Sequence, residues 1–258
     1  MSEQIGEKPI EKIKDAASNA ARAETERPHV RRYRTVLFQI VLVLVAGSFA
    51  VLTFLVKAMP FFAVDLQITR AIQLINLPAF ALLMNLISWP GFGPQSFILT
   101  LVIILLIFGF GLHWEAVMTL VAAAFSSGIN VLVKDLVQRP RPAANQVHVF
   151  ASLNSYSFPS GHVMFYLGFL GFIWFLVFTL LKPSIKRTLL LVFSGIPIAL
   201  VGISRIYQGE HWASDVLGSY LLGTLTLVAI IRIYLWGKTR FFVRQPVAPA
   251  APQEINQG

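Results

Sequence analysis

The chain has 258 residues, 56% hydrophobic and 13% charged, with a net charge of +9 and a mean hydropathy of +0.69. An ordinary soluble domain carries about 25% charged residues, so the composition excludes that class and predicts an integral membrane protein. Cysteine is absent, which excludes disulfides and thiolate metal sites, and the positive charge lies mainly beside apolar segments, where it sets topology rather than binding nucleic acid.

In chain order, the first 34 residues are polar and charged. They are too long and too acidic for the leading part of a signal peptide and predict a cytoplasmic extension, residues 1–34. Six apolar segments then approach the roughly 20 residues that a bilayer crossing needs. They run from about Val36 to Val56, Ser96 to Leu112, Ala116 to Val137, Val163 to Leu181, Leu189 to Ile206 and Val216 to Trp236. The predicted fold class is all-α, a polytopic membrane protein with six transmembrane helices forming one domain over residues 35–237. Residues 238–258, rich in proline and polar side chains, predict a disordered cytoplasmic tail.

Between the first two spans, Asp65, Thr69, Gln73 and Asn76 recur at helical spacing, and Ile68, Ile72 and Ile75 line another face. That pattern predicts a helix lying in the membrane interface. An alternative makes Leu77 to Ile87 part of a short seventh span, but Pro78, Asn85 and the small number of apolar residues weigh against it.

Orientation follows from lysine and arginine. Lys8, Lys12, Lys14, Arg22, Arg27, Arg31, Arg32 and Arg34 precede the first span; Lys182, Lys186 and Arg187 separate the fourth and fifth; Lys238, Arg240 and Arg244 follow the sixth. With six spans these regions share one side, which the positive-inside rule makes cytoplasmic. Both termini are therefore expected inside the plasma membrane of a bacterial cell. Lys57, Arg70, Lys134, Arg139, Arg141 and Arg205 fall on the opposite side, and most of them need another reason to be there.

Three groups supply one. In "KDLVQRPRP", Pro140 and Pro142 end the third helix, so Lys134 at its end and Arg141 in the loop can converge. In "FPSGH", Ser160 is a natural N-cap, Gly161 permits close approach of a ligand, and His162 can exchange a proton. Free N–H groups at such a helix start bind phosphate. In "SRIYQGEHWASD", His211 and Asp215 are spaced as one helical turn, so the carboxylate can orient the imidazole, and Arg205 precedes them across a turn containing Gly209. Taken singly, these groups also read as a snorkelling lysine with a basic loop, a capped helix and a structural His–Asp pair. All three lie on one membrane face, and coincidence of three such features is improbable.

Lys134-x6-Arg141-Pro142, Pro159-Ser160-Gly161-His162 and Ser204-Arg205-x5-His211-x3-Asp215 resemble the three-part signature of the type-2 phosphatidic acid phosphatase, or lipid phosphate phosphatase, family. Its site is shared with vanadium-dependent haloperoxidases and some bacterial acid phosphatases. The resemblance implies a membrane lipid phosphate phosphatase, whose site the lysine and arginine asymmetry puts on the extracytoplasmic side. In that scheme His211 attacks phosphorus to give a phosphohistidine, Asp215 orients its ring, and His162 protonates the leaving alkoxide. Lys134, Arg141, Ser160, Gly161 and Arg205 bind the phosphate oxygens. No metal and no cofactor is implied: a cluster of three cations repels a divalent ion. Glu210 has no role in this scheme. The resemblance implies a substrate such as phosphatidic acid, phosphatidylglycerophosphate, diacylglycerol pyrophosphate or a polyprenyl pyrophosphate, among which the sequence does not choose. A lipid phosphotransferase would use the same phosphohistidine. A haloperoxidase would need vanadate and usually a soluble scaffold, and a channel or transporter would place its charges at mid-membrane depth.

Overall fold

Long apolar runs interrupted by proline, glycine and short polar turns produce the helices of the computed structural model, which describes residues 28–242. Most of the expected extension, residues 1–27, and the expected tail from residue 243 lie outside the described residues. The helices are α1 (Pro28–Ala58), α2 (Ala63–Gln73), α3 (Pro78–Ser88), α4 (Gly93–Gly109), α5 (His113–Val137), α6 (Gly161–Leu180), α7 (Ile185–Tyr207) and α8 (Ala213–Phe241). The chain divides into Met1–Gly47, whose described part is the start of α1, and Ser48–Gly258, which holds the end of α1 and the helices from α2 to α8.

Helices α1, α5, α6, α7 and α8 are long and apolar enough to cross a membrane. Helix α4, apolar over 17 residues, sits where the second span is expected. At 1.5 Å per residue it reaches about 25 Å, near the lower limit for a crossing. The linker expected to hold one interfacial helix holds two, α2 and α3, bent by 120° relative to each other. Pro78 opens α3, where its missing N–H is not needed. The residues weighed above as a seventh span therefore form a helix of 11 residues, too short to cross alone.

The polar face of α2 packs onto protein. Asp65 and Thr69 are buried. The Gln73 amide donates to the carbonyls of His148 (2.6 Å) and Tyr207 (2.9 Å) and accepts from the His148 N–H (3.0 Å). Arg70 donates twice to the Gln146 carbonyl, at 3.2 and 3.0 Å. Helix α2 thus staples down the loop that joins α5 to α6, because a buried polar face must find partners.

Helices α5, α6, α7 and α8 form the core. Val163, Tyr166, Phe169, Val201 and Val216 pack near one end, and Met118, Ala122, Phe172, Ile230 and Tyr234 near the other. Small residues let the helices approach closely: a Cβ on Gly168 would stand 2.5 Å from the Ser126 side chain, and one on Gly218 2.3 Å from the Phe158 ring. At the far end, buried Glu115 at the start of α5 accepts from Tyr234 Oη (2.9 Å) and from Lys238, clamping α5 to α8. The opposite end collects the C-termini of α5 and α7 and the N-termini of α6 and α8. All three sequence groups map to that end.

Candidate active site

Helix α5 stops at Val137 because Gln138 takes a left-handed conformation (φ 55°) and prolines follow. The chain then folds back over the helix end. Lys134 Nζ donates to the Tyr156 carbonyl, while Arg141 donates through Nε to the Ser155 carbonyl (2.7 Å) and through Nη2 to Ser155 Oγ (2.8 Å). The two cations expected to converge are thus tied to neighbouring residues of one loop. Arg141 Nη1 also donates to the Glu210 carbonyl (2.6 Å) and lies 3.2 Å from His211 Nε2.

Helix α6 opens at Gly161 with Ser160 as its N-cap. The Ser160 N–H donates to Ser219 Oγ at 2.6 Å. His162, in the first turn, meets the Phe92 ring edge-on at 4.9 Å and packs so tightly on Gly91 that a Cβ there would fall 2.3 Å from its Cδ2. Among the described residues, Ser160 Oγ, His162 Nε2 and Arg205 Nε are buried without a hydrogen-bond partner.

Arg205 is fully buried near the end of α7. Its Nη1 donates to Gln208 Oε1 (2.5 Å) and to Ser88 Oγ, its guanidinium pairs with buried Glu210, and it lies 5.4 Å from the Phe92 ring centre. The turn that follows depends on Gly209: its φ is +66°, and a Cβ would sit 2.1 Å from the His148 carbonyl oxygen. Gln208 accepts from Ser88 Oγ (3.0 Å) and donates to Asn85 Oδ1 (2.9 Å), so α3 supports this edge of the site.

Asp215, in the first turn of α8, is fully buried. Its Oδ2 accepts from the Trp212 N–H (2.8 Å) and Ser157 Oγ (2.5 Å), and its Oδ1 from Arg139 Nη1 (2.5 Å). His211 Nδ1 lies 3.6 Å from Asp215 Oδ2 and 3.5 Å from Ser157 Oγ. The expected one-turn pair is looser than helical spacing implies, because α8 begins only at Ala213 and His211 stands before it. Ser157 sits between the two groups.

Burial, reinforced by the Arg141, Lys134 and Arg205 cations, holds the His211 imidazole well below its ordinary value. The ring is therefore neutral at neutral pH, the form in which one ring nitrogen keeps a lone pair; at Nε2 that lone pair faces the Arg141 Nη1 donor. Burial lowers Arg141 to about 10, with Asp215 acting the other way, so it remains a cation.

The eight residues singled out from sequence gather around this helix end. Sequence reasoning did not assign Arg139, Ser157, Glu210, Ser88, Asn85 or Gln208 to it. Arg139 carried one signal, a cation on the side expected to face outward with no topological reason to be there. Among the described residues, no three histidine, aspartate or glutamate side chains are grouped as a metal site.

The PAP2 superfamily matches residues 115–238, which contain all three motifs. Phosphatidylglycerophosphatase B of Bacillus subtilis (strain 168) is 34% identical over 168 residues, 62% of this chain and 78% of the relative. The crystal structure of the transmembrane PAP2-type phosphatidylglycerolphosphate phosphatase from Bacillus subtilis aligns with a TM-score of 0.63 at 26% identity, over 76% of this chain and 98% of that one. LpxE of Aquifex aeolicus shares the fold, with a TM-score of 0.54 at 21% identity over 67% and 98% of the two chains. The chain belongs to the PAP2 superfamily and is a membrane lipid phosphatase.

Proposed function

We propose that this phosphatase hydrolyses phosphatidylglycerophosphate at the extracytoplasmic face, without a metal, through a phosphohistidine on His211. The observation that carries the mechanism is the pairing of His211 Nε2 with Arg141 Nη1 at 3.2 Å. It puts a neutral imidazole nitrogen beside a cation able to hold the phosphoryl group for in-line attack. In the first step Nε2 bonds to phosphorus, the ester P–O bond breaks, and His162 supplies the proton to the leaving alkoxide. In the second, water attacks phosphorus with His162 taking its proton, the N–P bond breaks, and inorganic phosphate leaves. Lys134, Arg141 and Arg205, with Ser160 Oγ and the Gly161 N–H, neutralise the oxygens; the unpartnered Ser160 Oγ and Arg205 Nε leave donors for that purpose. The choice of headgroup is supported by the substrate named for the Bacillus subtilis relatives.

Purified protein assayed against phosphatidylglycerophosphate, phosphatidic acid, diacylglycerol pyrophosphate and a polyprenyl pyrophosphate is expected to show the highest kcat/KM on the first. Turnover should survive chelators and fall with vanadate. A higher kcat/KM on another substrate overturns the headgroup, and a divalent metal restoring chelator-abolished activity overturns the metal-free scheme. Transfer of labelled phosphate to a second lipid instead of water would make the enzyme a phosphotransferase.

The orientation is tested separately. The chain has no cysteine of its own, and Asn145 and Ser184 are both exposed. Asn145→Cys should react with an impermeant thiol reagent in intact cells, and Ser184→Cys should not. The reverse pattern would place the site in the cytoplasm.

A further inference from the structure

Arg139 stands apart from the cations that face the phosphate site. Its side chain is completely buried and forks between carboxylates from two helices: Nη2 is 2.9 Å from Asp65 Oδ2 on α2, and Nη1 is 2.5 Å from Asp215 Oδ1 on α8. Ser214 closes the network. Its N–H and Oγ donate to the two Asp65 oxygens at 2.8 and 2.7 Å, and its Oγ accepts from Arg139 Nη1 at 2.7 Å. Arg139 Nε donates to the Pro60 carbonyl (3.0 Å), and the guanidinium lies 5.3 Å from the Phe62 ring centre. Arg139 is completely buried and its charge is taken up by two carboxylates, whereas Arg141, equally hydrogen-bonded, has only neutral partners and is partly exposed, so its charge is left for a phosphate.

We propose that Arg139, held by Asp65, is a positioning residue that fixes the charge and orientation of Asp215 behind the His211 imidazole. The inference rests on the reading of His211 as the nucleophile. Arg139 occupies Asp215 Oδ1, which leaves Oδ2 to face Ser157 and His211 Nδ1. The His211 ring becomes positively charged as it bonds to phosphorus, and it needs a full negative charge behind it at that moment. Arg139 alone would neutralise Asp215. Asp65 supplies the second carboxylate, so the group Asp65–Arg139–Asp215 keeps one net negative charge and presents it to the ring.

Arg139→Gln removes the one cation between two buried carboxylates, leaving Asp65 with Ser214 and Asp215 with Ser157 and the Trp212 N–H. The two like charges repel without the cation between them, and the carboxylate behind His211 is displaced. The kcat is expected to fall about a hundredfold or more, with KM changing less than about threefold because Arg139 does not touch the phosphate site. Asp65→Asn in the Arg139→Gln background removes the competing carboxylate and should recover at least about tenfold of the lost kcat. A purely structural role predicts the opposite, a double variant as impaired as the single one or worse. Asp65→Asn alone leaves Arg139 to pair fully with Asp215 and should lower kcat about tenfold, which keeps the idea testable if Arg139→Gln does not fold.

The experiment is steady-state kinetics on phosphatidylglycerophosphate with quench trapping of labelled phosphoenzyme in the same preparations. Wild-type protein that traps no phosphate on His211 overturns the nucleophile reading. Wild-type protein that traps it overturns the Arg139 role alone if Asp65→Asn keeps wild-type kcat, if Arg139→Gln acts through KM, or if the double variant shows no recovery.

Discussion

His211→Ala should abolish turnover, by at least about 10⁴-fold on the scale expected for loss of a nucleophile, and no phosphoenzyme should form. His162→Ala should behave differently. A general acid contributes about 10²–10⁴ in rate, but only where the leaving group needs a proton. On a lipid monoester, whose alkoxide leaves poorly, the loss should be near the top of that range; on an aryl phosphate it should be small. The two rings have distinct settings. His211 is buried beside Arg141 and backed by Ser157 and Asp215, whereas His162 stands in the first turn of α6 against Phe92 with its Nε2 unpartnered. The neutral state of His211, set by burial and three neighbouring cations, suits attack. Asp215→Asn should fall between the two, since the ring stays in place but loses its charge partner. Quenching without acid should trap labelled phosphate on His211 in the wild type. If His211→Ala still formed a phosphoenzyme and His162→Ala did not, the assignments would have to be exchanged.

What sequence could reveal here was local. Lys134 and Arg141, Ser160 with Gly161 and His162, and Arg205 with His211 and Asp215 each fall within one short segment, so spacing brings them together without knowledge of packing. The apolar runs likewise announce their helices, because membrane crossing is a property of a continuous segment. The supports are different in kind. Arg139 meets Asp65 across 74 residues, Arg205 meets Ser88 across 117, and Ser157 meets Asp215 across 58. Only the fold decides such pairings. Periodicity shows that α2 has a polar face but carries no information on whether it turns to headgroups or to protein; the buried Asp65 and Thr69 answer that. Asn85 counted against a crossing helix and proves to be the partner of Gln208.

Removing Arg205 should hurt more than removing Arg141, and the reason is Glu210. Arg141 is partly exposed, anchored by Ser155 and the Glu210 carbonyl. Arg141→Ala deletes one preorganised charged donor, a loss of about 10²–10³ in kcat/KM. Arg205 is buried and paired with the Glu210 carboxylate, itself buried. Arg205→Ala therefore deletes the donor and also leaves an unpaired negative charge where a phosphate dianion must bind. Two unit charges about 4 Å apart at an effective dielectric near 20 interact by about 4 kcal/mol, enough for a further factor of about 10³ before Glu210 protonates or moves. Arg205→Ala is accordingly expected to lose more than about 10³ in kcat/KM and to bind vanadate far more weakly than Arg141→Ala does. The double variant Arg205→Ala/Glu210→Gln separates the two contributions. It removes the stranded carboxylate without replacing the donor, and should bring kcat/KM and vanadate inhibition back toward the level of Arg141→Ala. If the double variant stayed as impaired as Arg205→Ala, Glu210 would not reach the anion site, and Arg205 would act through its own donors alone.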